Sequence, residues 1–497
     1  MKNPLSTVLT IAALIAGTAG LDAQPNFVYT NDDNIGSNTV SGFAVDAAGN
    51  LTPVLNSPFA TGGGGTGGGG FAINRVVISG GTYLYASNGG TSDISAFTID
   101  PVMGGLTAIT GSPFSAGGTT FADISLAASP DGKFLFAGVT SNNTLVSFNI
   151  QPGGSLTQAA SLAAPAAPSG MKVTPDGKYL AVALPGYLGF GGVAMFSIAS
   201  DGTLTMVNGM PFIGTGAVAG IDVNCASNQL FGGVMTAGTT IVDAYSIGSG
   251  GVLSRITGSP FSPGVGKNSN VVLLSPNDQL LFASNQFSNS ITDFTVDSTG
   301  ALALVAGSPF AIGGQATNPA GMATDQGGAF LYVASGPNLI QVFSIAADGT
   351  LTPAAGSPFS TNQPAGLLSL AAFPAKTCSG SGGGGGTPPV ISGLPAAGCT
   401  LWPPQHQMVS VGTVTADSTA GLTSFDVTGT SNEPFDPNDP DIVITGTGLQ
   451  PRTVQLRATR LGSGTGRVYT LTATATDVAG TTTTSTATCS VPHDVGN

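Results

Sequence analysis

Short apolar runs alternate with polar positions along residues 26–373, and glycine, proline, asparagine and aspartate separate them. One stretch shows the plan. Ile124-Ser125-Leu126-Ala127-Ala128, Phe134-Leu135-Phe136-Ala137-Gly138 and Thr144-Leu145-Val146-Ser147-Phe148-Asn149-Ile150 are followed by Leu156-Thr157, with Ser129-Pro130-Asp131-Gly132 and Pro152-Gly153-Gly154 as turns. Period-two runs rich in β-branched and aromatic residues predict strands, and the residues between them supply the positive or fixed φ of tight turns. Four such strands in sequence predict one antiparallel unit. The plan returns at 280–285 with 291–296 and at 330–334 with 340–345, and no long segment of period 3.6 interrupts it.

The units repeat at a fixed spacing. Phe212, Phe261, Phe310 and Phe359 each close a Gly-(Ser/Met)-Pro-Phe tetrapeptide and follow one another at 49 residues. Phe114 lies two periods before Phe212, and the skipped position falls at Ala163, where the motif is absent but the phase is kept. Phe59 precedes Phe114 by 55 residues, the excess matching the glycine-rich tract from Gly62 to Gly70. Seven units at this period predict a seven-bladed β-propeller. Phe27-Val28-Tyr29-Thr30-Asn31 opens the first unit as a second strand, and Leu367-Leu368-Ser369-Leu370-Ala371-Ala372-Phe373 is a surplus first strand at the end. Joined, the two complete one blade and leave the ring without an open edge.

The pattern changes after a glycine tract at 382–386. Thr-rich alternating runs at 408–415, 422–430, 441–445, 453–459, 468–476 and 481–491 predict an immunoglobulin-like sandwich. The expected organisation is a signal peptide at 1–23, a propeller at 24–376, a Gly-rich linker at 377–388 and an Ig-like sandwich at 389–497. The fold class is all-β, a seven-bladed propeller followed by a small sandwich. Of the four cysteines, Cys399 and Cys489 flank the sandwich as its first and last strands do, and we expect them to be bonded. Cys225 and Cys378 fall near first turns of blades across the ring, and no bridge is expected between them.

Composition narrows the partners. Charged residues are 7% of the chain, 12 basic against 25 acidic, which leaves no basic stripe to neutralise phosphates and argues against nucleic acid. Lys2, the apolar stretch from Val8 to Ala19 and small residues up to Ala23 read as a cleaved export signal, too short for a comfortable membrane span. The expectation is a monomer that is secreted, periplasmic or at the cell surface, with no membrane span after cleavage.

The units resemble the YVTN-type repeats of lactonase-like (6-phosphogluconolactonase-like) seven-bladed propellers. Phe27-Val28-Tyr29-Thr30-Asn31, Leu84-Tyr85-Ala86-Ser87-Asn88 and Leu331-Tyr332-Val333-Ala334-Ser335 carry the resemblance as strand cores. Ser129-Pro130-Asp131-Gly132-Lys133 and Thr174-Pro175-Asp176-Gly177-Lys178 carry it as turns, and Asp201-Gly202-Thr203-Leu204-Thr205 and Asp348-Gly349-Thr350-Leu351-Thr352 as outer-strand openers. The resemblance covers 25–375 and implies, for the family's enzymes, His, Arg and Glu side chains at the channel mouth. Residues 25–375 contain no histidine and no glutamate, and only Arg75 and Arg255 as arginines. None of that pattern carries over. The C-terminal part resembles an Ig-like module of secreted bacterial proteins through Leu401-Trp402-Pro403-Pro404-Gln405-His406 and Val491-Pro492-His493-Asp494.

Two candidate sites remain. Lys172 and Asp222 share a register on adjacent innermost strands, with Arg75 and Asp123 near them in phase, so a polar ligand pocket or an interblade ion pair is expected at the channel mouth. Glu433, Asp436, Asp439 and Asp441 place four carboxylates on one loop, a donor set suited to Ca²⁺ or to a solvated acidic turn. His406 and His493 are expected as structural residues near the two ends of the sandwich. The functional expectation is a binding or scaffolding propeller whose ligand is a small molecule, a glycan or a protein. The alternative is a lactonase-like hydrolase at the channel mouth.

Overall fold

The computed structural model describes residues 26–68, 73–207, 211–235, 238–364, 369–376, 378, 389–396, 398–417, 422–434, 440–462, 466–477 and 482–493. The expected signal peptide and most of the expected linker lie outside them, as do Asp436, Asp439 and Asp494. Among the described residues the chain is all-β, with two short 3₁₀ turns and no α-helix.

Seven antiparallel sheets of four or five strands form the ring. Blade 1 has the order Leu51–Pro53, Thr39–Val45, Asn26–Asn31, Ser369–Phe373, so its innermost strand comes from the far end of the chain. The chain ends therefore close the ring by hydrogen bonds, Phe27 opposite Phe373 and Asn31 opposite Ser369. Blades 2 to 7 start with the innermost strands Val76–Ser79, Ile124–Ala128, Met171–Val173, Ala217–Val223, Ser269–Leu274 and Met322–Thr324. The core lies between blades. Tyr85, Ile94 and Ala96 of blade 2 pack with Leu126, Leu135 and Ala137 of blade 3, and comparable clusters join the other neighbours.

The Gly-Ser-Pro-Phe repeat has a mechanical reason. In most blades the outermost strand is split in two, as at Leu302–Leu304 and Phe310–Ala311, both paired with Ser290–Val296. The break leaves the Asp293 N–H without a strand partner, and the Ser308 hydroxyl accepts from it at 2.8 Å. Ser57, Ser112, Ser259 and Ser357 do the same for Gly42, Ala96, Ala244 and Val342. A backbone N–H left unpaired in a partly buried sheet costs free energy, which gives the serine its role at these five breaks; blade 4, whose outer strand is also split, carries Met210 at that place in its sequence. Blade 3 is the control: it lacks the motif, and its outer strand Leu156–Ala163 runs unbroken.

The C-terminal part consists of two four-stranded sheets. One is ordered Val390–Ser392, Met408–Asp417, Arg452–Arg457, Ile442–Thr445, and the other Cys399–Thr400, Thr482–Pro492, Gly466–Asp477, Leu422–Ser431. Val414, Val454 and Leu456 of the first face Phe425, Leu471 and Val491 of the second in one core, so the sheets form a sandwich. Cys399 and Cys489 are directly paired on parallel strands and form a disulfide.

Cys225 and Cys378 are also bonded, contrary to the sequence expectation. The reason is geometric. Opposite blades are far apart at the rim, but their innermost strands converge on the channel axis, and a chain leaving one of them can cross to another directly. After Phe373 on blade 1 the chain reaches the Leu274 carbonyl oxygen of blade 6 with the Lys376 ammonium, and Cys378 is tied to Cys225 in the turn of blade 5. Three residues span at most about 10 Å, so this path runs over the channel and not around the rim. Two disulfides suit an oxidising compartment outside the cytoplasm. Among the described residues no helix is long and apolar enough to cross a membrane.

Candidate functional site

The innermost strands carry charge at two places. Pairing puts Lys172 opposite Ala181 and Asp222 opposite Phe231, which are equivalent positions of adjacent blades, as the spacing predicts. Their side chains form an ion pair at 2.9 Å. Arg75 and Asp123 do not join them. Both immediately precede their strands, Val76–Ser79 and Ile124–Ala128, whereas Asp222 is the next-to-last residue of its own. At about 3.3 Å of rise per residue this offset carries the two pairs toward opposite mouths of the channel.

The strand-end mouth is the covered one. Asp222 accepts from Lys172 and from the Leu274 N–H, and Lys376 stands 3.7 Å away. Burial pushes its carboxyl upward, but the charges of Lys172 and Lys376 outweigh this and bring it down to about 2. Lys376 also faces Asp278 at 3.9 Å. Burial lowers the Lys376 ammonium from its ordinary range and raises the Asp278 carboxyl.

At the strand-start mouth Arg75, itself buried, holds two carboxylates, Asp33 at 2.7 Å and Asp123 at 2.6 Å. The sequence reading missed Asp33, which arrives from blade 1 on the loop after Asn26–Asn31 and adopts positive φ, a conformation aspartate tolerates better than most residues. It also missed Thr66. The glycine-rich insertion is the part that delivers Thr66: the N–H groups of Thr66 and Gly68 donate to the Asp33 carboxylate at 2.8 and 2.7 Å. Gly65 packs so closely that an added Cβ would sit 2.3 Å from the Asp33 carbonyl carbon. The Thr66 hydroxyl then accepts from Arg75 at 3.0 Å and donates to Asp33 at 2.8 Å. Asp123 is the most open of the three charged groups, at 11% against 1% for Asp33 and 2% for Arg75. One cation with two carboxylates leaves this mouth acidic. Asp33, Thr66 and Asp123 occupy both terminal nitrogens of the guanidinium, so a carbonyl or carboxylate oxygen reaches it by displacing Asp123, whose carboxylate then stands beside it as a base.

The acidic loop of the sandwich is arranged around a guanidinium. Glu433 and Asp441 are buried and both pair with Arg467, the former at 3.2 Å, while Asp441 also meets Arg457 at 3.4 Å. Glu433 accepts from the Leu461 N–H at 2.8 Å as well. The cation these two carboxylates hold is Arg467, and among the described residues no cluster of His, Cys, Asp and Glu has the arrangement of a metal site. His406 bonds Thr459 through Nδ1 and His493 bonds the Gly462 carbonyl through Nε2, so both imidazoles stand on one loop and not at two ends of the sandwich.

Comparison with known proteins bears on the ring alone. A family model described as "Lactonase, 7-bladed beta-propeller" matches residues 239–367. Among solved structures, a candidate 6-phosphogluconolactonase from Bacteroides fragilis superposes with a TM-score of 0.56 at 18% identity, covering 72% of this chain and 100% of that one. The periplasmic gluconolactonase of Pseudomonas aeruginosa gives 0.56 at 17% identity, covering 70% and 99%. The likeness is one of fold. The ring is a seven-bladed propeller, and these superpositions leave more than a quarter of the chain unmatched. No curated protein matches the sequence.

Proposed function

We propose that the propeller is an exported lactonase-like hydrolase that admits a small sugar-acid lactone at the strand-start mouth. The observation that carries this reading is the Asp33–Arg75–Asp123 cluster, which sits at the mouth away from the C-terminal crossing, in a fold shared with a gluconolactonase. The substrate displaces Asp123 from Arg75, and the freed guanidinium N–H binds the lactone carbonyl oxygen and stabilises the oxyanion as water adds. The Asp123 carboxylate takes the proton from that water. The ring C–O bond then breaks and the proton passes to the departing ring oxygen, leaving a hydroxy acid. Asp33 and Thr66 hold the guanidinium plane in place.

The test is hydrolysis of gluconolactone and related δ-lactones by the full exported chain, against the uncatalysed rate. Asp123→Asn should lower kcat by about 10²–10⁴, the usual worth of a general base. Arg75→Lys keeps the charge but loses the fork, and should raise KM as well as lower kcat. Turnover that does not exceed the uncatalysed rate, with all three proteins folded, overturns the hydrolase.

A second reading has its own support. Residues 25–375 contain no histidine and no glutamate, and Arg75 is already committed to two carboxylates. In this reading the cluster locks blades 1, 2 and 3 together, and the exported ring is a binding or scaffolding module. Saturable binding of a lactone or its hydroxy acid without turnover selects it.

A further inference from the structure

The crossing between blade 1 and blade 5 is held in an uneven way. Lys376 makes one hydrogen bond, to the Leu274 carbonyl oxygen, and its contacts with Asp222 and Asp278, at 3.7 and 3.9 Å, are longer than hydrogen bonds. Asp222 gives its closer contact to Lys172, and Asp278 spends one oxygen on the Cys225 N–H at 2.6 Å. The remaining Asp278 oxygen is buried with no hydrogen-bond partner. Only the Cys225–Cys378 bond holds the far end covalently, and Cys378 is exposed. The other disulfide contrasts with it, because Cys489 is fully buried in the sandwich core. Exposed disulfides are the ones open to exchange.

From this geometry we infer that residues 374–376, tethered by Cys378 to Cys225, form a thiol-releasable strap over the strand-end mouth. It is locked while Cys225–Cys378 is oxidised and freed when an external dithiol protein reduces that bond. A thiolate of the dithiol attacks Sγ of Cys378, the S–S bond breaks, and Cys225 leaves as a thiolate that takes a proton from solvent. The second thiol of the reductant then attacks the mixed disulfide and expels the Cys378 thiolate, which is protonated in turn. The reductant ends as a disulfide and the protein as two thiols. With its tether gone, Lys376 keeps one hydrogen bond and two long ionic contacts. Its departure leaves the Lys172–Asp222 pair facing an open mouth, so the channel gains a second entrance.

The experiment treats the full exported chain with graded dithiothreitol, followed by differential cysteine alkylation and pulse acetylation of lysines, both read by mass spectrometry. Cys225 and Cys378 should become alkylated at reductant concentrations that leave Cys399 and Cys489 bonded. Acetylation of Lys376 should then rise severalfold while the far-ultraviolet spectrum is unchanged. Cys378→Ser should show the fast labelling of Lys376 without reductant. If that variant does not fold, the reduced parent protein still decides the matter. Reduction of both disulfides together, or slow labelling of Lys376 after Cys225–Cys378 is open, overturns the strap.

Discussion

Two buried carboxyls in neighbouring blades show how environment decides what an aspartate does. Asp222 is held down near 2 by two lysines, while Asp293 is buried with neither oxygen hydrogen-bonded, and burial alone pushes it up to about 8. Folding therefore binds a proton at Asp293 that the unfolded chain, with an ordinary aspartate, has already released at neutral pH. Its contribution to stability is full below about pH 4 and is lost as pH rises toward 8. Asp32, raised to about 6 by burial despite three hydroxyl donors, acts in the same direction over a lower window. Between pH 6 and 8 Asp293 contributes a downward slope that the Asp32 carboxyl no longer supplies. Thermal melts of the parent should fall across this interval, and Asp293→Asn should flatten the fall. An unchanged slope in the variant would show that the Asp293 carboxyl does not carry the proton. At this scale the sequence revealed the Lys172–Asp222 pair, because both residues occupy one register. It did not reveal Asp33 as the partner of Arg75, because that contact depends on a loop conformation and a glycine insertion, which periodicity does not encode.

Among elements, the split outer strand is the most informative. A serine hydroxyl replaces a strand partner at five breaks, blade 3 without the tetrapeptide has no break, and blade 4 breaks with Met210 in the serine's place. Ser308→Ala removes the acceptor of the Asp293 N–H and should cost about 1–3 kcal/mol, the usual penalty for a buried donor left unpaired. Ser161→Ala in the unbroken strand of blade 3 is the matching control and should cost less. Chemical denaturation of the two variants distinguishes them; equal losses would reduce the motif to turn propensity. The blade count, the split closing blade and the Cys399–Cys489 bond were all legible in the sequence, since each follows from phase along the chain. The Cys225–Cys378 bond was not, because it joins segments by a shortcut through the axis, and a linear phase places those blades apart.

For the whole molecule the question is what keeps a ring of separate sheets closed. Hydrogen bonds between Asn26–Asn31 and Ser369–Phe373 close blade 1. The Cys225–Cys378 bond encloses a loop of 153 residues, which in the chain-entropy model contributes about 5 kcal/mol. A third device recurs at every junction: the turn before an outer strand presses a glycine onto the second strand of the preceding blade. At the closing junction Gly49 of blade 1 has φ +82°, and an added Cβ would lie 2.7 Å from the Phe330 ring of blade 7. Gly250, with φ +76°, adopts the same left-handed conformation in open space. Gly49→Ala and Gly250→Ala thus share the backbone penalty of roughly 1–2 kcal/mol for an L residue in this region. Only Gly49→Ala adds overpacking, about 1–3 kcal/mol more. Equilibrium unfolding of the two variants should show that excess, and because Phe330 belongs to the last blade the loss falls on closure of the ring. If the two alanines cost the same, the junction between blades 7 and 1 yields without resistance. Closure would then rest on the shared strand and the disulfide alone.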